Sequence, residues 1–187
     1  MSRSLYGGAL SASFPNRFID VSDFRHIPDN QEVFSDIESD QSFIIELLSM
    51  VDDVPNENCA QFHFGELAKE NDAEGNNCCV STIRTLANEE LPNFSNIPDV
   101  YKAVVLGAQR VAKFNEQARN EINIFMAIIR IPKITTDILI TLNAPSIINP
   151  ESSSAKNIQP NQIEEPAKVF EEFLRTFQIL DWGLFVQ

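Results

Sequence analysis

Residues Phe18–Val51 read FIDVSDFRHIPDNQEVFSDIESDQSFIIELLSMV, and this stretch governs the reading of the chain. Ile19 to Phe24 alternates apolar with acidic or polar side chains. Ile27-Pro28-Asp29-Asn30 predicts a turn, because proline presets φ at the second position and Asp and Asn tolerate the tight backbone after it. Gln31 to Phe34 predicts a short strand. Gln41 to Val51 predicts a helix, with Asp40 or Ser42 capping its free N–H groups. Phe43, Ile44, Leu47, Leu48 and Val51 recur at helical spacing as its buried stripe, which turns Glu46, Ser49 and Asp53 to the opposite face and Glu46 to water. Between Asp20 and Asp53 lie Asp20, Asp23, Asp29, Glu32, Asp36, Glu38, Asp40, Glu46, Asp52 and Asp53, against the single base Arg25. Like charges this dense need a solvated surface, either a solubility face or a dock for a basic partner.

The rest of the chain sets limits on that stretch. At 187 residues the chain is long enough to bury a core, and it reads as one domain over 1–187. An apolar fraction of 43% with 14 Phe fits a folded protein. The formal net charge of −13 argues against nucleic acid and anionic membrane surfaces as partners, both being polyanions. The acidity is local, since Lys102, Arg110, Lys113, Arg119, Arg130 and Lys133 outnumber Glu116, Glu121 and Asp137 in the middle strands. Three cysteines, two of them adjacent, do not make a secreted disulfide framework. No apolar run has signal-peptide or membrane-spanning length, so a soluble intracellular protein is expected.

Leu5 to Phe14 predicts a strand entered through Gly7-Gly8; no phosphate-loop pattern surrounds that pair. Cys59 to Ala68 predicts a helix. Cys59 and His63 stand at the i, i+4 spacing of two metal ligands, but His26, Cys78 and Cys79 do not complete a zinc set, so no metal and no cofactor are expected. Nothing marks Cys59 and His63 as an activated nucleophilic pair. Cys79 to Leu86 alternates as a half-buried strand. Tyr101 to Phe114 fits strand or helix, with Val104-Val105-Leu106 favouring strand and Gly107 a bulge or bend. Ile122 to Ile131 is apolar on both faces, as in a central strand. Pro132-Lys133 turns the chain, so Asp137 to Leu142 must return antiparallel. Residues 145–163 form a Pro/Ser-rich loop, expected to be mobile. Glu164 to Gln178 predicts a closing helix. These elements make an α+β fold, with a central antiparallel sheet and helices on both sides.

Three segments carry a resemblance: LYGGA from Leu5, IDVSDFRHIPDNQEVF from Ile19, and DQSFIIELL from Asp40. With TTDILITLNAP from Thr135, they resemble the Ran guanine nucleotide release factor family of nuclear import factors. The resemblance spans most of the chain and is densest over Leu5 to Leu48. It implies a six-stranded antiparallel sheet between helices, similar to the photosynthetic PsbP fold. It also implies binding to the small GTPase Ran, release of its guanine nucleotide, a role in nuclear protein import, and residence in nucleus and cytoplasm. Position by position, the family's Ran-contacting acids fall on Asp20, Asp23, Asp29, Glu32 and Glu46. Family members often carry a second acid where this chain has Ser49. No bond chemistry is required, and a monomer is expected for the protein alone. Two rivals are an enzyme built on paired carboxylates such as Asp29 and Glu32, which needs an apolar pocket to raise one pKa, and a Ran-binding adaptor or scaffold without effect on nucleotide.

Overall fold

The structure is a computed structural model and describes residues 2–112, 117–152, 155 and 166–185. Among these residues ten strands run Ser2–Leu5 (β1), Leu10–Ser13 (β2), Ile19–Asp20 (β3), Gln31–Asp36 (β4), Gln41–Ser49 (β5), Cys78–Thr85 (β6), Tyr101–Ala112 (β7), Arg119–Ile131 (β8), Thr136–Ile147 (β9) and Gln178–Ile179 (β10). Among the described residues, two α-helices span Asn56–Glu70 (α1) and Pro166–Thr176 (α2). Seven strands form one antiparallel sheet in the order β3-β4-β5-β9-β8-β7-β6, and β1-β2-β10 form a second. The large sheet therefore has seven strands, where the family resemblance implies six; one of the seven, the edge strand β3, is only two residues long.

Strand alternation sorts the core onto the two faces of the large sheet. Phe34, Phe43, Ile45, Val104, Ala127, Ile129, Ile138 and Ile140 join Phe14, Phe18, Phe173 and Phe177 in one cluster, beneath α2 and the small sheet. Ala103, Val105, Met126, Ile128 and Leu139 join Cys59 and Phe64 in the other, beneath α1. Helices on both sides of an antiparallel sheet match the expected architecture. Gly107 serves this packing: a Cβ there would lie 2.5 Å from Phe64 Cζ and 2.4 Å from the Cys79 carbonyl oxygen, so only glycine lets α1 sit down on β7.

The helix expected over Gln41–Val51 is strand β5. Phe43, Ile45 and Leu47 turn to the α2 face and Leu48 to the α1 face. Because β5 is paired on both sides, with β4 and with β9, and packed on both faces, its apolar run is nearly continuous and fits helical spacing by coincidence. Asp40 is not a helix cap; it has φ +55 and closes the β4–β5 turn. The Asp36 carboxylate fastens that turn, accepting from Glu38 N at 3.0 Å, Ser39 Oγ at 2.6 Å and Arg17 Nε at 2.6 Å.

Smaller differences follow the same logic. The expected strand Leu5–Phe14 is broken by a 3-10 turn over Tyr6–Gly8, and β1 and β2 fold back on each other around it. Strand β9 continues through Pro145 to Ile147, so residues 145–147 belong to the sheet; most of the expected loop, 153–154 and 156–163, lies outside the described residues. The start expected for the closing helix, at Glu164, also lies outside them.

Candidate functional site

The acids of the β3–β4–β5 edge occupy different environments. Asp20 caps the 3-10 turn Val21–Asp23, its Oδ1 accepting from Ser22 N at 2.8 Å. Phe24 N and Arg25 N both return to the Val21 carbonyl, at 3.0 and 3.1 Å, so the backbone of this exposed segment is held. Asp23 and Asp29 are exposed. Phe24, between them, is 75% exposed. The turn expected at Ile27–Asn30 is present, closed by Gln31 N donating to the Pro28 carbonyl at 2.9 Å.

Glu32 and Glu46 are half-buried and lie on opposite faces of the sheet. Glu32 sits across from Ile45 on the α2 face, and Glu46 across from Gln31 on the α1 face. Glu32 Oε1 accepts from Tyr6 N at 2.6 Å, while its Oε2 is buried without a hydrogen-bond partner. Burial pushes the Glu32 carboxyl above the ordinary carboxylate range; the Tyr6 N–H opposes this and the nearby Asp20 charge adds to it. Glu46 Oε1 accepts from Gln31 Nε2 at 2.6 Å. Burial also raises the Glu46 carboxyl, against the pull of the Gln31 hydrogen bond, with Glu70 raising it further and His63 lowering it. The reading that turned Glu46 to water on a helix is corrected: in β5 it faces α1 and is half-buried. Asp20 and Glu32 are thus brought together on one face, Asp23 and Asp29 stand free of the core, and Glu46 is separated from Glu32 by the sheet.

Sequence reasoning missed the residue that joins these groups. Tyr6 N bonds Glu32, and its hydroxyl lies 2.9 Å from both the Asn30 and the Ile45 carbonyl oxygens. The available signal was a tyrosine directly before Gly7-Gly8 in the segment LYGGA. A second missed group is buried between α1, β8 and β9. Arg130 forks onto Asp137, Nε to Oδ1 and Nη2 to Oδ2 at 2.8 Å each, and His63 Nε2 meets Asp137 Oδ2 at 3.0 Å. Arg130 Nη1 also donates to the Val54 carbonyl at 2.5 Å, and Nη2 to the Val51 carbonyl at 3.4 Å. Burial alone would raise the Asp137 carboxyl, but the Arg130 and His63 hydrogen bonds outweigh it and hold the group below its ordinary value. His63 thus serves Asp137, while burial pushes the thiol of Cys59, its i, i+4 neighbour, up to about 11. No group of three potential metal ligands occurs among the described residues.

The carboxylate-enzyme rival needs a pocket around its acids. A cleft of about 430 Å³ opens on the α1 side of the sheet, with Val33, Ile44, Ile122 and Ile124 in its lining, and its carboxylate is Asp40. Asp29, Glu32 and Glu46 do not line it.

Comparison with known proteins gives a consistent result. The model of the family described as Ran-interacting Mog1 protein matches residues 3–145. A Dictyostelium discoideum protein named probable ran guanine nucleotide release factor is 43% identical, covering 98% of this chain and 95% of its own. The Danio rerio Ran guanine nucleotide release factor is 42% identical over 99% of this chain and its full length. A crystal structure of the Saccharomyces cerevisiae Ran-binding protein Mog1p superposes with a TM-score of 0.73 at 25% identity, covering 100% of this chain and 98% of that one.

Proposed function

The chain belongs to the Ran-interacting Mog1 protein family, and we propose that it binds the small GTPase Ran through the acidic β3–β4–β5 edge, promotes release of the bound guanine nucleotide, and so supports nuclear protein import. The observation that carries this reading is the held segment Asp20–Gln31, which presents Asp23 and Asp29 to solvent on an ordered backbone. Charge on a fixed frame loses little entropy on docking and steers a basic partner at long range. Asp20 borders that face, and Glu32 and Glu46 shape it from within the sheet. The single domain over 1–187, the PsbP-like likeness, monomeric behaviour and residence in nucleus and cytoplasm belong to the same reading.

Release needs no bond chemistry from this chain. A GTPase holds its nucleotide through a phosphate-cradling loop, that loop's lysine, and magnesium. An acidic surface docked beside them competes for the lysine or the metal, or favours a conformation that holds nucleotide poorly. By linkage, whatever binds the empty GTPase more tightly weakens its nucleotide affinity by the same factor.

The test is loss of labelled GDP or GTP from purified Ran with this protein added. Asp23→Lys with Asp29→Lys is the cleaner reversal, because Glu32 is half-buried and holds the Tyr6 N–H. That variant is expected to stay folded, lose Ran binding and lose release, while reversal of the exposed Glu151 and Glu172 leaves both unchanged. Binding without release by the wild type identifies an adaptor instead. The association rate should fall steeply as ionic strength rises past physiological; a rate indifferent to salt removes the acidic edge from consideration.

A further inference from the structure

Tyr6 touches, at once, the surroundings of three acids that lie apart in sequence. Its backbone N–H donates to Glu32 Oε1 at 2.6 Å. Its hydroxyl lies 2.9 Å from the Asn30 carbonyl, one residue after Asp29, and 2.9 Å from the Ile45 carbonyl, one residue before Glu46. The hydroxyl carries one proton, which the two carbonyls share. The Asn30 carbonyl also accepts Leu47 N at 2.9 Å, so the turn is tied to β5 by backbone and by Tyr6. Burial, with the charges of Glu32 and Glu46, raises the phenol further above its ordinary range and keeps it a donor.

The backbone supports a specific role. Tyr6 has φ +49, followed by Gly7 at +64 and Gly8 at +98. A tyrosine in the left-handed region is strained, and such strain persists only where surrounding contacts over-determine it. Here the contacts are those to Glu32, Asn30 and Ile45, together with packing of the ring against the α2-side core.

We propose that Tyr6 is a positioning residue for partner docking: it locks the Pro28–Gln31 turn and the Glu32 carboxylate to β5, fixing Asp29, Glu32 and Glu46 relative to one another before the partner arrives. This rests on the acidic-edge reading above. A face already in its bound arrangement pays less ordering entropy on association. Loss of the lock therefore raises the dissociation rate, while net charge, and with it the electrostatic steering, stays constant.

The test is Tyr6→Phe, with Ran affinity and both rate constants measured at low temperature and scaled to the folded fraction from near-ultraviolet dichroism. The expected result is affinity about tenfold weaker, as befits one lost hydroxyl bond, carried by the off-rate, with the salt slope of the on-rate unchanged. Replacing Tyr6 by 4-aminophenylalanine, which restores a donor of the same shape, should return affinity to within about twofold of wild type. Asn120→Ala, which removes the contacts to Ser152 and Asn149 elsewhere in the fold, should lower the melting temperature and leave scaled affinity unchanged. Wild-type scaled affinity for Tyr6→Phe, or failure of the donor to restore it, overturns the positioning role. If Asp23→Lys with Asp29→Lys still binds, the acidic-edge reading fails. If that reversal abolishes binding while Tyr6→Phe binds normally, only the Tyr6 inference falls.

Discussion

Asp137 and the Glu32–Glu46 pair are carboxylates withdrawn from water in the same sheet, and their environments differ in one respect. Asp137 is 0% exposed and has both oxygens engaged by Arg130 and His63, so its charge is matched. Glu32 and Glu46 are half-buried, and each is given a single neutral donor, Tyr6 N or Gln31 Nε2. The first arrangement depresses the carboxyl pKa and the second raises it. A matched buried charge belongs to the fold. Under the proposed reading, an unmatched one keeps capacity for a cation brought from outside.

The largest expected effect lies at the matched site. Asp137→Ala strands Arg130 as an uncompensated buried cation and should destabilise the protein by about 3–5 kcal/mol in denaturant melts. A loss of under about 1 kcal/mol would mean the node is not closed as described. Truncation of Leu47, which is only partly buried in β5, should cost less than the roughly 2–5 kcal/mol of a fully buried Leu→Ala change, about 1–2 kcal/mol.

The two sites should also titrate with opposite sign. Asp137 has a folded pKa below the ordinary value, so its contribution is present above the unfolded pKa and is lost as pH falls through the folded one. Glu32 and Glu46 have folded values above the ordinary 4.5, so the fold binds their protons more tightly than the unfolded chain does. Their contribution is full below 4.5 and is lost as pH rises through the raised folded values. Glu46→Gln keeps an acceptor for Gln31 and should flatten that decline in melts run at increasing pH; an unchanged slope would remove Glu46 from the argument. The smallest effect is expected at Phe24→Ala, a fully solvated site by comparison, where stability should move by no more than about 0.5 kcal/mol.

Much of the fold was legible because two-sided burial and turn chemistry leave local marks. Pro28-Asp29-Asn30 is a turn, Ile122–Ile131 lies within β8, and Pro132-Lys133 leads antiparallel into β9. The β5 segment was misread for a physical reason: FIIELL packs on both faces of the sheet, which erases the period of two that marks a strand. Its adjacent Ile44 and Ile45 were the better guide, since β-branched residues favour strands. The candidate acids were named from the sequence, but their division between faces depended on that misread element. Tyr6 and the Arg130–Asp137–His63 node were not legible, because each joins residues far apart in the chain: Tyr6 to Ile45, and His63 to Asp137.

The ends of the large sheet bear on how the protein behaves in a crowded solution. An open strand is a template on which other chains can polymerise. On one side this sheet stops at β3, two residues long, which offers too few backbone groups for a growing fibril to seize. On the other it stops at β6, where pairing with β7 slips between Val80 and Thr82 and Arg84 is paired with Glu90. A register break and an edge cation both discourage stacking. With a net charge of −13 adding mutual repulsion, the two guarded ends of the sheet discourage stacking of copies of the chain at high concentration.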